Sequence, residues 1–364
     1  MRAAVLNTVP GRLEIEDVEL AEPGPLEVLI KTAAAGLCHS DLHFMEGTYP
    51  VACPALLGHE SAGVVEAVGS MVTHVAPGDH VITCLAAFCG HCEDCLGGRP
   101  SLCQRLGVEL VRADSEPPRI TRNDGEKVNQ FLHVSSFAEK LLVHENAVVN
   151  ITKEMPLDKA ALIGCGVTTG LGAVFRTARV DPGADVVVIG CGGIGLAAVQ
   201  GARIAGANRI VAVDMLSSKL ELARELGATH VVDGANVDPV EAVREFTGGA
   251  GAHFTFEAVG LKTTAEQAFQ MLRVGGQATV IGLIPVGVNV EVEGVELLSE
   301  KILTGSNMGS TQFRTDMPRY IQMYLDGRLK LDEMLSGTME LDDINEGFAA
   351  MKTGQVARQV VTFD

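Results

Sequence analysis

Hydrophobic and polar positions follow two different patterns along the chain. From residue 1 to about 150, short β-rich runs such as 28–32 and 80–83 are punctuated by glycine and proline, which is typical of a mainly β domain. From about Asp185 onwards, apolar strand-like segments alternate with amphipathic helix-like segments. Because strands that are joined through helices pair in parallel, this alternation predicts a doubly wound α/β sheet.

The alternating region can be followed segment by segment. Its strand-like segments are DVVVIG, RIVAVD, THVVD, HFTFEAVG, QATVIG and, as a sixth strand, KILTGS. Its helix-like segments are GIGLAAVQGARIAG, SSKLELARELG, VEAVREFTG and TAEQAFQMLRVGG. After Gly309 the pattern becomes helical and ends in a last strand at 359–363. The sequence therefore predicts a parallel sheet of about six strands in addition to the β-rich part.

The stretch from Gln104 to about Leu132 belongs to neither pattern. It is polar, contains a Pro-Pro pair and lacks clear periodicity. We interpret it as a long surface excursion from the β-rich domain.

Composition limits the kind of protein that this chain can be. Its 364 residues suffice for two domains, and 47% hydrophobic with 20% charged residues is typical of a globular protein. The net charge of −18 argues against nucleic acid as a partner, because phosphate backbones bind clustered basic surfaces. The amino terminus lacks a signal-peptide pattern, and the apolar runs stop well short of the ~20 residues of a membrane span. We therefore expect a cytoplasmic protein without a membrane partner.

Four cysteines crowd one short segment, at Cys89, Cys92, Cys95 and Cys103. Two successive C-x-x-C steps followed by a fourth thiol match the spacing of a closed, structural zinc site. A disulfide framework is the alternative, but nothing else in the chain indicates an oxidising compartment. The odd total of nine cysteines also favours thiolate ligands over bridges.

A glycine-rich turn follows the first strand of the alternating region and opens a helix. The motif G-x-G-x-x-G comprises Gly190, Gly192, Gly193, Ile194 and Gly195. In this context the glycines allow a tight turn and let a pyrophosphate approach the helix amino terminus. The turn therefore predicts a dinucleotide site, in which Cys191 has no assigned role.

Asp214 ends the next strand of the same region. A carboxylate at this position can accept hydrogen bonds from the adenosine ribose hydroxyls and would repel a 2′-phosphate, which favours NAD over NADP. The alternative is that Asp214 caps the helix that follows, at 217–219.

Three further segments carry potential metal ligands. They are GLCHSDLH at 36–43, GHE at 58–60 and GCGVTTG at 164–170. Taken separately these are weak signals, because a buried cysteine or a lone histidine is more often structural than a ligand. Spacing alone does not bring them together.

Taken in order, the segments GLCHSD, GHESAG, the four-cysteine loop, GCGVTTG and GCGGIG resemble the zinc-dependent medium-chain alcohol dehydrogenases. The likeness runs essentially end to end and is to the longer type with a structural zinc, similar to classes I and III. It implies a GroES-like, mainly β catalytic domain at 1–166 and 308–364, and a Rossmann NAD-binding domain at 167–307. It also implies a homo-oligomer, with a dimer favoured.

The resemblance implies a second zinc ion, which would be catalytic. Its ligands would be Cys38, His59 and Cys165, a set that leaves a fourth position open. Glu60 would be an alternate or nearby carboxylate, and Asp41 would orient the imidazole of His59 through a hydrogen bond.

Further roles are implied by the same resemblance. Ser40 would take the proton of the substrate hydroxyl, and His43 would pass it to solvent. The residues near the cofactor would be His39, Thr169, Lys219 and Arg358. The alternatives are that Ser40 caps a helix beginning at Asp41 and that Lys219 and Arg358 are solvated surface charges.

The activity that the resemblance implies is reversible NAD-dependent oxidation of a small alcohol to an aldehyde or ketone, with zinc acting on the substrate oxygen. Tyr49, Leu85 and the region near Phe131 are candidates for an apolar substrate pocket. The alternatives are a thiol-adduct formaldehyde dehydrogenase, an enoyl or quinone reductase, and a non-catalytic zinc-stabilised interaction module. The module would need neither a second zinc set nor the cofactor glycines.

Overall fold

The computed structural model describes residues 1–113, 115–354 and 356–363, and of Val108 only the backbone. The chain forms two compact units. The first comprises Met1–Cys165, Gln312–Gly327 and Leu335–Asp364, and the second comprises Gly166–Thr311 and Arg328–Met334. The short segment Arg328–Met334 thus belongs to the second unit, although the sequence boundaries assign it to the first.

The strands are numbered in chain order. They are β1 (Arg2–Leu6), β2 (Leu13–Leu20), β3 (Glu27–Gly36), β4 (Ala55–Leu56), β5 (Glu60–Val68), β6 (His80–Cys84), β7 (Ile120–Arg122), β8 (Asn129–Gln130), β9 (Lys140–His144), β10 (Val148–Ile151), β11 (Asp185–Ile189), β12 (Arg209–Asp214), β13 (His230–Asp233), β14 (Ala252–Glu257), β15 (Leu272–Val280), β16 (Ile302–Gly305), β17 (Leu335–Met339) and β18 (Arg358–Thr362).

The α-helices are numbered in the same way. They are α1 (His39–Met45), α2 (Glu93–Leu96), α3 (Leu106–Glu109), α4 (Leu157–Leu162), α5 (Thr168–Gly172), α6 (Gly193–Ala205), α7 (Ser217–Leu226), α8 (Pro239–Phe246), α9 (Lys262–Gln270), α10 (Phe313–Leu325) and α11 (Ile344–Lys352). Two π-helical segments, Ile163–Val167 and Ala173–Ala178, follow α4 and α5.

The first unit is built from two mostly antiparallel sheets, as the β-rich pattern predicts. One sheet has the order β7-β2-β1-β4-β8, and the other has the order β10-β6-β5-β3-β18-β17, with β9 also paired to β3. The carboxyl-terminal strand β18 joins the amino-terminal β3 in antiparallel register. Fully buried side chains such as Leu6, Leu56 and Phe137 form the core. The first and last parts of the chain therefore fold as one unit.

The second unit contains the predicted parallel sheet, in the order β13-β12-β11-β14-β15-β16. Each neighbouring pair in it is parallel. The order reverses direction between β11 and β14, which is the switch point where such sheets bind ligands. The sixth strand is confirmed as β16. One boundary differs, because the segment 272–276, which the pattern assigns to a helix, begins β15.

One helical segment, Leu157–Ala178, is long and apolar enough to cross a membrane by length and composition. It has 22 residues, and 83% of its apolar window is buried inside the structure. A core helix of a globular protein has the same properties. The sequence interpretation missed this segment because the charged residues Asp158, Lys159 and Arg176 lie near its ends.

The stretch from Gln104 to Leu132 is more than a surface excursion, so that interpretation was wrong in part. Ile120, Val128 and Phe131 join the main core of the first unit, and each is at most 4% exposed. Strand β7 pairs with β2, and β8 pairs with β4. The polar sequence concealed this anchoring because the strands are only two or three residues long.

Candidate zinc and dinucleotide sites

The four-cysteine loop brings its sulfur atoms together as the spacing predicts. The ligand atoms of Cys89, Cys92, Cys95 and Cys103 all lie within 4.8 Å of one another. The sulfur of Cys89 lies 3.9 Å from that of Cys95, and the sulfur of Cys92 lies 3.9 Å from that of Cys103. Zinc bonds of 2.3 Å in a tetrahedron separate the sulfurs by about 3.8 Å, so the four thiols fit a zinc ion. All nine cysteines are free, which excludes the disulfide alternative here.

Backbone donors stabilise the thiolates of this loop. The amide of Cys89 donates to the sulfur of Cys103, and the amide of Cys92 donates to the sulfur of Cys89, both at 3.3 Å. The backbone amide of Cys95 is the main cause that lowers the pKa of the Cys92 thiol, to about 7. Amide groups that point at sulfur favour the deprotonated form, which is the form that binds zinc. Burial raises the pKa of Cys95 and of Cys103, so a zinc ion would have to displace the protons of these two thiols.

A second group of potential ligands lies inside the first unit. It consists of Cys38, His59, Glu60 and Cys165, which are all buried and have ligand atoms within 4.8 Å of one another. Cys38 precedes α1, the pair His59 and Glu60 lies at the start of β5, and Cys165 lies in the first π-helical segment. Helical turns with π geometry are rare, and they occur frequently at functional sites. The tertiary structure thus assembles segments that are far apart in the chain.

Two glycines make room for this group. Gly58 has φ of +87° and occurs immediately before His59, a conformation that glycine adopts without strain. A side chain at Gly164 would lie 3.0 Å from the carbonyl oxygen of Thr83 and 3.3 Å from the backbone of Glu60. The glycine next to Cys165 therefore lets the helix approach β5 closely.

Asp41 holds the imidazole of His59 in one orientation. Its Oδ1 lies 3.0 Å from His59 Nδ1 and accepts a hydrogen bond of 3.1 Å from the amide of Gly58. With Nδ1 donating to the carboxylate, Nε2 is the free acceptor of the ring. This buried Nε2 has no hydrogen-bond partner among the described residues. An imidazole nitrogen left in this way beside two thiols fits a zinc ion.

The charges of this group are strongly coupled. The hydrogen bond with Cys165 is the main cause that lowers the pKa of Cys38 well below the usual value. Burial acts against a charged imidazole, but Asp41 and Cys38 together raise the pKa of His59 well above its usual value. The buried pocket therefore favours a thiolate at Cys38, which is the form a metal requires. The hydrogen bond with Cys38 raises the pKa of Cys165 well above its usual value, so a metal ion that binds here would have to displace a proton from Cys165 and one from His59.

Arg358 pairs with Glu60 beside the thiols. The guanidinium of Arg358 and the carboxylate of Glu60 form a buried ion pair, and Arg358 is only 6% exposed. Burial raises the pKa of Glu60 to about 7, against the opposing charge of Arg358. The alternative that Arg358 is a solvated surface charge is therefore wrong.

The first helix carries the residues expected to move protons. Helix α1 begins at His39 with Cys38 as its N-cap residue, so Ser40 lies in the first turn and is not the cap. His39 is exposed, whereas Ser40 and His43 are half-buried. Ser40 and His43 are three residues apart and thus lie on the same side of the helix.

An aromatic cluster extends from His59 to His43. The ring of Phe131 lies 6.1 Å from that of His59 and 4.8 Å from that of Phe44. The ring of Tyr49 lies 5.7 Å from Phe44 and 6.3 Å from His43. The sequence interpretation included Tyr49 and Phe131 but missed Phe44. Its position directly after His43 in α1 was the available signal.

The glycine-rich turn has the geometry of a dinucleotide loop. Gly190 follows β11 with φ of +92°, and Gly192 is the N-cap residue of α6. A side chain at Gly195 would lie 1.7 Å from the carbonyl oxygen of Gly190, and one at Gly170 would lie 2.3 Å from that of Ile194. The turn is therefore tight and leads directly into the amino terminus of α6, which is the part of a helix that favours an anion.

Asp214 lies directly beside this turn. Its Oδ2 accepts a hydrogen bond of 2.7 Å from the amide of Cys191, and its Oδ1 accepts bonds from Met215 and Leu216. Helix α7 begins at Ser217 with Leu216 as its N-cap residue and no side-chain cap. The alternative of a helix cap is therefore wrong, and each oxygen of Asp214 retains capacity for a ribose hydroxyl.

Two further residues predicted to lie near the cofactor, Thr169 and Lys219, belong to the second unit. Thr169 is 5% exposed and donates to the sulfur of Met308 at 3.4 Å, and Lys219 is half-buried. The thiol of Cys191 is completely buried, and burial raises its pKa above the usual value. Cys191 is therefore not a reactive thiol.

Comparison with known proteins covers both units. The model of the alcohol dehydrogenase GroES-like domain matches residues 24–153, and that of the zinc-binding dehydrogenase matches residues 193–326. The S-(hydroxymethyl)glutathione dehydrogenase of Paracoccus denitrificans is 36% identical, over 100% of this chain and 99% of that protein.

Two solved structures have the same fold over the whole chain. An alcohol dehydrogenase zinc-binding domain protein from Burkholderia ambifaria is 37% identical with a TM-score of 0.95, over 100% of this chain and 98% of that one. The benzyl alcohol dehydrogenase of Acinetobacter calcoaceticus is 32% identical with a TM-score of 0.92, over 100% of this chain and 99% of that one. These relatives are dehydrogenases, which argues against a non-catalytic module. With its GroES-like and Rossmann parts, its two cysteine-containing metal groups and this end-to-end similarity, the chain belongs to the zinc-dependent, NAD-linked medium-chain alcohol dehydrogenase family.

Proposed function

We propose that the enzyme interconverts a small alcohol and its aldehyde or ketone, with two zinc ions in the first unit and NAD in the second. The observation that carries this proposal is the buried group of Cys38, His59 and Cys165, in which Asp41 leaves His59 Nε2 facing inward without a hydrogen-bond partner. Three protein ligands with an open fourth position are typical of catalytic zinc. The four-cysteine loop would hold the second, structural ion.

Zinc in the buried group would polarise the substrate oxygen and make its proton easier to remove. We assign the removal of that proton to Ser40, whose hydroxyl can accept and donate at the same atom. His43, on the same side of α1 and half-buried, would carry the proton onwards to solvent. Arg358 would balance the charge of Glu60, so that the site carries no unpaired carboxylate.

A screen of alcohols tests this function. Zinc-replete protein with NAD should form reduced nicotinamide with at least one class among primary, secondary, allylic and aromatic alcohols, and metal analysis should find two zinc ions per chain. Removal of zinc with a chelator should abolish the reaction. One zinc ion per chain together with no NAD binding would contradict the proposal.

A thiol-adduct formaldehyde dehydrogenase is the second candidate, because the relative from Paracoccus denitrificans is named as an S-(hydroxymethyl)glutathione dehydrogenase. Formaldehyde oxidation should then depend on added glutathione. The two candidates are separated by measuring rates with formaldehyde, with and without the thiol, against rates with simple alcohols.

We further propose that aromatic primary alcohols are preferred. The support is the cluster of Phe44, Tyr49 and Phe131, whose rings extend from the zinc ligand His59. Aromatic rings favour other aromatic rings through edge-to-face contacts and apolar burial. In the alcohol screen, benzyl alcohol should therefore give a higher kcat/KM than ethanol.

Asp214 should determine the choice of cofactor. The change Asp214→Asn should raise the KM for NAD about tenfold, because the ribose loses a charged hydrogen-bond acceptor. It should also reduce the enzyme's preference for NAD over NADP, because the 2′-phosphate of NADP is no longer repelled. Initial rates with each cofactor measure both effects. Asp233→Asn is the matched control, since Asp233 ends the neighbouring strand β13. Unchanged KM values for both cofactors in Asp214→Asn would contradict the assignment.

We propose that the chain forms a homodimer through the β16 edge of its parallel sheet. Strand β16 is the last strand in the sheet order, so its outer edge has no partner strand among the described residues. Large apolar side chains are exposed in the connection from β15 to β16 and at the start of β16, at Val286, Val295, Leu297, Leu298 and Ile302. An apolar patch beside an unpaired edge is typical of an interface.

The double change Leu298→Glu and Ile302→Lys should convert the dimer into monomers in sedimentation experiments, because it buries two charges in the interface. Val237→Glu is the control, since Val237 is 51% exposed and precedes α8 near the opposite side of the sheet order. A double variant that stays dimeric would place the interface elsewhere.

We also propose a cytoplasmic location, which the nine free cysteines support.

A further inference from the structure

Glu257 is a buried carboxylate that the proposed mechanism does not use. It is the last residue of β14 and is 0% exposed. Strand β14 is the neighbour of β11, from whose end the glycine-rich turn begins, so Glu257 lies at the switch point of the sheet. A buried ionisable group is costly unless it makes strong hydrogen bonds. Its position therefore needs a physical explanation.

One oxygen of this carboxylate holds the turn that follows β14. Oε1 accepts hydrogen bonds of 2.9 Å from the amide of Val259 and 2.7 Å from that of Gly260. It also accepts a bond of 2.7 Å from the hydroxyl of Thr264, in the first turn of α9. These amides form a cradle of the kind that elsewhere binds an anion, and here the chain's own side chain fills it.

The other oxygen faces a second loop. Oε2 is buried and has no hydrogen-bond partner among the described residues. A side chain at Gly282, just after β15, would lie 2.6 Å from this oxygen and 2.1 Å from the amide of Gly260. The backbone carbonyl of Glu257 accepts bonds from Ile281 and Gly282 at 2.8 and 3.0 Å. Glu257 therefore bridges the turns after β14 and β15.

The same turn also contacts the dinucleotide loop. A side chain at Gly190 would lie 2.6 Å from Val259, so the two turns touch without space between them. A doubly wound sheet consists of two mononucleotide-binding halves, and the glycine-rich turn serves the adenosine half. The turns after β14 and β15 belong to the second half, where the nicotinamide end of the cofactor is expected.

We infer that Glu257 is a positioning residue for the nicotinamide half of NAD, acting through the turns at 258–260 and 281–283. The inference rests on the proposal that the second unit binds NAD. A charged carboxylate accepts three hydrogen bonds more strongly than a neutral amide does. Loss of the charge should loosen both turns. The adenosine half should stay largely unaffected, because the glycine-rich turn is held separately by the hydrogen bond from the amide of Cys191 to Asp214.

The test compares two ligands on Glu257→Gln protein. The dissociation constant for NAD should rise about tenfold, whereas that for ADP-ribose, which lacks nicotinamide, should stay within about twofold of the parent. With saturating NAD, kcat should change much less than the KM for NAD. Glu245→Gln, an exposed change in α8, should leave both constants unaltered.

A second variant covers the case in which Glu257→Gln does not fold. Thr264→Val removes only one hydrogen-bond donor to Oε1, so it should weaken the binding of NAD but not that of ADP-ribose, and to a smaller degree than Glu257→Gln. The control Thr263→Val changes the exposed neighbouring residue and should leave NAD binding unchanged. The inference would be overturned if the binding of NAD and that of ADP-ribose were weakened equally, or if neither were weakened. Failure of the parent protein to bind NAD would instead overturn the proposed function.

Discussion

Replacing Cys38 by serine or His59 by alanine should lower kcat/KM for alcohol oxidation by about 10⁴-fold, because each change removes a ligand of the proposed catalytic zinc. The site is buried, and the nearby carboxylate of Glu60 is held in an ion pair with Arg358, so it cannot easily take the place of the lost ligand. The measurement is the rate of formation of reduced nicotinamide, together with the zinc content of the purified protein. The zinc content should fall from two ions per chain to one.

The matched control for this experiment is Cys53→Ser. Cys53 is a half-buried free thiol that belongs to neither metal group. The control should retain both zinc ions and most of the activity. Folded Cys38→Ser or His59→Ala protein that oxidises alcohols as fast as the parent would refute the assignment of the catalytic site.

The second large effect concerns stability and the anchoring of the stretch 104–132. Glu27, at the start of β3, is 4% exposed and pairs with Arg112 and Arg119. Arg119 also donates to the carbonyl of Leu110 at 2.7 Å. Replacing Glu27 by alanine leaves two mostly buried guanidinium groups without a counter-charge. We expect a loss of about 3 to 5 kcal/mol in the free energy of unfolding, measured with urea.

The contribution of Glu27 should depend on pH. Burial acts to raise its pKa, but hydrogen bonds from Arg112 and Gly24 and the charge of Arg119 lower it from 4.5 to about 2. Since the folded protein has the lower pKa, the stabilisation is complete above about pH 4.5 and disappears as the pH falls towards 2. A depression of this size corresponds to about 3 kcal/mol, in agreement with the expected effect of the substitution.

Comparison of Glu27→Gln with the parent over this pH range checks the prediction. The difference in unfolding free energy should be largest near neutral pH and should shrink on acidification. Glu14→Gln is the control, because Glu14 is exposed in β2. A stability difference that does not change with pH would show that the ion pair is not the cause.

Much of the fold could be predicted from local patterns. The alternation of strands and helices after Asp185 predicted the parallel sheet, including β16, because period and glycine punctuation are local properties. The same method missed β7 and β8, since strands of two or three residues carry no periodicity. It also missed the apolar segment Leu157–Ala178, whose burial depends on what surrounds it.

Of the two candidate zinc sites, only one could be predicted from a local sequence pattern. The proposed structural zinc site could be predicted from the sequence because one short loop holds all four of its thiols, at Cys89, Cys92, Cys95 and Cys103. Cys38, His59 and Cys165 came together in the sequence analysis only through resemblance to a family. Their actual proximity depends on close approaches at Gly58 and Gly164.

The sequence by itself determined the element types, the parallel sheet, the dinucleotide turn and the four-cysteine loop, because these are set by interactions between near neighbours in the chain. Only the tertiary structure decided which buried charges meet. It pairs Glu27 with Arg112 and Arg119, and Glu60 with Arg358. Long-range contacts of this kind follow from the packing of whole sheets, and no local pattern encodes them.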